Sequence, residues 1–139
     1  LEYETFNELG DIYGPVLFRD FDLINEATSS NSEDFMRSVS EHVLARKIPV
    51  HAKIRPLFYM PIKSTVLDAV IYLDPGHFDH VSEIFRNHEK VPFHTVLEND
   101  DIITYTLDEK PTLTKHWLES VHSGISRWRV QNKINKKTR

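Results

Sequence analysis

Histidines and clustered acids are the residues of this chain best suited to chemistry. His77 and His80 stand three residues apart with Asp79 between them, and His88 and His94 follow. Neutral imidazoles at that spacing can share a metal ion, which makes His77 and His80 metal candidates. An ordinary surface pair explains the same spacing, HExxH is absent, and no cofactor is assigned. Glu98, Asn99, Asp100 and Asp101 form an acidic turn. Paired carboxylates do acid–base work when burial separates their pKa values, whereas on a turn they are solvated. His51, Lys53 and Arg55 alternate, with Phe58 and Tyr59 close behind, and such a stripe can neutralise and stack on single-stranded nucleic acid. A wet strand face accounts for the stripe as well. Ser120 and Ser123 beside His122 are adjacent rather than convergent, and no G-x-S-x-G elbow or glycine-rich phosphate loop occurs. The expectation is a protein without catalytic residues.

Composition supports one compact domain. The chain has 139 residues, 40% of them hydrophobic and 27% charged, and it has no Cys, so disulfides, thiolate metal sites and Cys nucleophiles are excluded. No apolar run reaches the length of a membrane span, and Leu1–Gly10 lacks the layout of a signal peptide, so a cytoplasmic location and no membrane partner are expected. Charge is unevenly placed. Arg127–Arg139 holds six of the 17 basic residues, among them Arg127, Arg129 and Lys133, and no acid. The residues before it carry about ten net negative charges, which repel nucleic acid over most of the surface. The basic tail remains a candidate contact for phosphate or an acidic partner.

Three segments are expected: an N-terminal extension over 1–47, a domain over 48–130 and the tail 131–139. Leu1–Glu26 mixes aromatic and aliphatic residues with Gly10, Gly14 and Pro15, and Ala27–Ser32 is a polar break. Ser30 and Glu33 have capping-box spacing ahead of a helix over Glu33–Lys47, with Phe35, Met36, Val39, Val43 and Leu44 on one face. Val50, Ala52 and Ile54 alternate as in a strand, and Pro56 and Pro61 place it at an edge or a crossover. Thr65–Asp74 reads as the clearest strand. Asp74-Pro75-Gly76 reads as the entry to a helix ending near Glu89, because Phe78, Val81, Ile84 and Phe85 recur at helical spacing. Two strands, Phe93–Glu98 and Ile102–Leu107, are expected as a hairpin around Asn99–Asp101. A helix carrying Leu113, Trp117 and Val121 follows, then either a strand over Ile125–Val130 or more helix.

From Thr65 that order spells βαββαβ, an α+β ferredoxin-like sandwich with both helices on one sheet face and an N-terminal helical extension. A second phasing, from a strand near Pro15–Phe21, spells the same order. The face without helices would carry Val66, Val70 and Tyr72, and it calls for the N-terminal third or another copy of the chain.

Ile48–Ile54, Val66–Leu73, Phe78–His88 and Val96–Tyr105, taken in turn as strand, strand, helix and hairpin, carry a family resemblance. Ile48 to about Val130 resembles the ACT-like effector-sensing domain of the leucine-responsive and asparagine-responsive transcription regulators. The resemblance implies a homodimer formed through the sheet and a small metabolite bound near the hairpin turn, at Asn99, Asp100 and Asp101. It also implies DNA read by helices ahead of the domain, whereas Leu1–Lys47 offers one clear helix without a concentrated basic face. The expected function is regulatory or ligand-sensing and non-enzymatic. The alternative is an RNA-binding or protein-interaction module using His51, Lys53, Arg55 and the tail.

Overall fold

The computed structural model of the chain describes residues 33–137. The expectations for Leu1–Glu26, Ala27–Ser32, the Ser30 cap and the strand near Pro15–Phe21 lie outside those residues. The chain divides into two compact units, Leu1–Leu44 and Ala45–Arg139. In the first, Glu33–Leu44 is helix α1; its spacing predicts a helix there, but it ends three residues before the expected Lys47, which already begins a strand. Phe35, Val39 and His42 are its buried side chains, while Met36 and Leu44, expected inside, are exposed.

The second unit is built on one five-stranded sheet. Its strands are β1 (Lys47–Ala52), β2 (Phe58–Pro61), β3 (Val81–Arg86), β4 (Glu89–Val91) and β5 (Asp101–Leu107). Their order is β2-β1-β5-β3-β4. The central pair β1 and β5 is parallel, and every other pairing is antiparallel. The hairpins β1–β2 and β3–β4 thus flank β5, and helix α2 (Val66–Leu73) packs on β3 and β5. The expectation of an α+β chain holds, but the βαββαβ ferredoxin-like order is replaced, because three segments adopt other conformations.

Val66–Leu73 is a helix rather than a strand. Val66 through Tyr72 are all buried, Asp68 included, so no wet face exists to print a period of 3.6 on the sequence. A local signal decides the conformation. The Thr65 hydroxyl accepts the Asp68 N–H at 3.2 Å, and Asp68 Oδ2 accepts the Thr65 N–H at 2.8 Å, completing a capping box.

Phe78–Glu89 is a single 3₁₀ turn, Phe78–His80, followed by strand rather than helix. A bulge shifts the pairing register between Val81 and Glu83. Val81 and Ile84, three apart, therefore both enter the core and imitate helical spacing. Asn87 and His88, with φ of 52° and 74°, turn β3 into β4.

Phe93–Glu98 is not a strand; a lone bridge joins Val96 to Thr65, so Asn99–Asp101 is no hairpin tip. Nor is β1 an edge strand. Pro49 is tolerated in it because β5 begins only at Asp101, opposite Val50, and asks no N–H of Pro49. Pro61 does lie on an edge, in β2.

The open alternative after Gly124 resolves as helix. Trp117–Ser120 forms the short α3, and Gly124–Lys137 forms α4, which packs on α2 and α3. Most of the expected basic tail is thus part of the folded unit. Phe58, Phe78, Met60, Leu67, Ile71, Ile84 and Ile103 are the largest fully buried side chains described in this unit. No helix among the described residues is long and apolar enough to cross a membrane.

Candidate functional site

The β1 register brings together two residues that the sequence placed in different candidate sites. β1 puts His51 opposite Ile102 in the parallel pair. Asp100, one residue before β5, takes the left-handed conformation at φ 64° and gives its N–H to Pro49 O at 2.8 Å. The left-handed residue of the turn is therefore Asp100. Asp100 Oδ1 lies 2.9 Å from His51 Nε2, and Pro56 O lies 2.7 Å from His51 Nδ1. Carboxylate and carbonyl oxygens only accept, so both ring nitrogens must donate, which requires the imidazolium form. The Asp100 hydrogen bond first, then the Pro56 carbonyl, raise the His51 pKa above its ordinary 6.5.

The sign of the resulting pH dependence follows from linkage. A folded-state pKa above the unfolded value stabilises the fold fully below about pH 6.5, and that contribution fades as pH rises through the folded value. The ring is solvent-exposed, so the effect on stability is small. In an NMR titration His51 is expected to titrate above 6.5, and Asp100→Asn to move it back toward that value. A His51 titrating at or below 6.5 in the unaltered protein contradicts the clasp.

The rest of the expected ligand turn is structural. Asp101 is 3% exposed; its Oδ2 accepts the Glu98 N–H at 2.7 Å, and its Oδ1 accepts from the Asn87 side chain at 3.0 Å. It pins the turn to the β3–β4 hairpin rather than facing a ligand, and Asn99 is left exposed beside it.

The basic stripe is dispersed, because β1 ends at Ala52 and the chain bends. His51 points to Asp100, Lys53 is exposed, and the Arg55 guanidinium sits 5.2 Å over the Tyr72 ring, which stacks on Phe58. On α4, Arg127 is exposed while Arg129 and Lys133 turn inward. Arg129 Nη1 donates to Ile71 O in the last turn of α2, where the helix dipole favours a cation. Lys133 Nζ donates to Gly76 O and lies 3.8 Å from Asp79. Arg129 and Lys133 thus close the fold, while Lys53 and Arg127 stay exposed.

His77 and His80 also go separate ways. His77 Nδ1 meets Asp74 Oδ1 at 3.0 Å, while His80 Nδ1 donates to Asp108 O at 3.0 Å. Among the described residues no group of three His, Asp or Glu side chains is placed to hold a metal.

Two exposed features escaped the reading of spacing. The sheet face opposite α2 presents Ile102, Thr104 and Thr106 of β5 beside Phe85 and Glu83 of β3 and Lys90 of β4, by register. Ile102 is 41% exposed there. Where β1 leaves the sheet, a cleft of about 440 Å³ opens between Ala52–Ile54 and the second half of β5. Tyr105 lines it and donates its hydroxyl to Asp74 Oδ2 at 3.3 Å; burial first, then the Asp74 charge, push the phenol up to about 12. The alternation of Ile103, Tyr105 and Leu107 was legible as strand periodicity, but the early end of β1 was not. No protein-family model and no curated protein matches the chain.

Proposed function

We propose that the Ala45–Arg139 unit is a non-enzymatic interaction domain that pairs with a second copy of itself through its open sheet face. The observation that carries this reading is the composition of that face: Ile102 and Phe85 with threonines between, and one ion pair, Lys90 to Glu83 at 3.4 Å, at the side. An apolar centre with one acid and one base beside it is self-complementary across a two-fold axis, which is what an isologous dimer needs. The buried polar groups favour binding over catalysis, since Asp68 and Asp101 spend their oxygens on the chain's own N–H groups. Metabolite sensing is not part of the reading, because the carboxylate an amine would seek, Asp100, is held by His51.

Sedimentation of the full chain is expected to show a concentration-dependent dimer. Ile102→Glu, which places a charge at the centre of the face, should leave a monomer with unaltered melting behaviour. A wild-type chain monomeric at several hundred micromolar, or an Ile102→Glu chain that still dimerises, overturns the proposal.

A further inference from the structure

We infer that the cleft beside the second half of β5 is a strand-addition site for an extended peptide with an acidic residue at one end and apolar residues at alternate positions after it. The inference goes beyond the dimer reading and does not depend on it.

Hydrogen-bond alternation sets the site. On the β3 side, Ile102 O accepts the Asn87 N–H at 2.8 Å and the Asp108 N–H reaches His80 O at 2.7 Å. Even-numbered residues of β5 thus bond toward β3, and odd-numbered ones toward β1. β1 supplies partners only as far as Ala52 opposite Ile103. Ala52 N–H then turns back to Arg55 O at 3.1 Å, carrying the chain away. Among the described residues, the N–H and C=O of Tyr105 and Leu107 are left aimed into the cleft without a strand beside them. They sit in the interior of the sheet, in line with β1, rather than on its outer edges.

The lining states the chemistry of the occupant. Ile54 and Leu107, 66% and 46% exposed, flank the cleft, so it takes apolar side chains on a period of two. Among the described residues Lys53 is the one charged member of the lining, and Arg55 lies on the same loop, so charge complementarity asks for an acid at the Ala52 end. β5 runs four residues past Ile103, which sets the paired length at three or four residues. Main-chain bonds at Tyr105 and Leu107 would supply affinity, and the Ile54–Leu107 cleft and Lys53 would supply selectivity.

The test uses the full chain and the probe acetyl-Asp-Val-Thr-Val-Thr-Val-amide. Before peptide is added, amide exchange should alternate along β5, with Thr104 and Thr106 slow and Tyr105 and Leu107 fast. Saturating peptide should slow Tyr105 and Leu107 at least tenfold. N-methylating the peptide's bonding amides, or Leu107→Lys in the protein, should raise Kd at least tenfold. Lys53→Glu should weaken this peptide and favour a Lys-headed version of it. Slow Tyr105 and Leu107 amides in the free protein would mean that the chain fills its own cleft, which ends the proposal. Protection that grows with protein concentration alone would assign the cleft to a second copy, with the same consequence. Peptide-induced changes confined to Phe85, Glu83 and Lys90 would place binding on the open face and refute the cleft. Ile102→Glu should leave the peptide response unchanged, so failure of the dimer and failure of the cleft are read separately.

Discussion

Asp68→Ala is expected to destabilise the Ala45–Arg139 unit by about 3–5 kcal/mol, because several buried donors lose their acceptor at once. The Asp68 carboxyl is fully buried and ties α2 to the chain entering α4. Its Oδ2 accepts the Thr65 N–H at 2.8 Å and the His122 N–H at 2.9 Å, and its Oδ1 lies 3.3 Å from the Ser123 nitrogen. The Thr65 hydroxyl donates to the same carboxyl at 3.1 Å and is also 2.7 Å from Ser120 O. Loss of a helix cap alone costs about 0.5–2 kcal/mol, and each buried donor left without a partner adds about 1–3 kcal/mol. Against a domain stability of about 5–15 kcal/mol this approaches the threshold for folding. Asp68→Asn keeps acceptor capacity and should retain about half the lost stability, so a measurable variant exists if the alanine chain does not fold. Urea unfolding is the measurement, and an Asp68→Ala midpoint close to that of the wild type would remove Asp68 from the centre of the structure.

Phe58→Ala should cost about 3–5 kcal/mol by a different mechanism, the cavity left by a fully buried ring. Phe58 seats the four-residue β2 on the core and stacks on Tyr72 at 5.9 Å between ring centroids, 17° from parallel. The stack adds about 0.5–1.5 kcal/mol to the burial of area. Because β2, among the described residues, is an edge strand paired with β1 alone, amide exchange at Ile48 and Val50 should accelerate more than exchange in β3. Phe58→Leu, which refills much of the space, should recover more than half of the loss. A uniform acceleration across the sheet would show that β2 has no local hold of its own.

The residues that could be read correctly in isolation are those whose fate is set within a few positions. Phe35 and Val39 declare α1 through spacing, and Val50 and Ala52 declare β1 through alternation, because each element has one dry and one wetter side. The α+β character of the chain was equally plain. Thr65 and Asp68 even carried the start of α2 in a T-x-x-D box, outweighed in a reading of patterns by the apolar run that follows.

Contacts distant in sequence settled the remainder. A helix buried on every side loses its period, and a bulge at Val81–Glu83 lends a strand the period of a helix, so pattern alone exchanged the two. The parallel pairing of β1 with β5 joins residues some fifty positions apart, and it alone brings Asp100 to His51 and strands the odd-numbered groups of β5 beside the cleft. Arg129 and Lys133, which composition assigns only a charge, became clamps on α2 and Gly76 once α4 docked. Composition and short-range spacing therefore reach as far as local conformation and the stock of chemistry. Which of those groups meet, and which stay open to a partner, depends on chain closure over distances that no local pattern encodes.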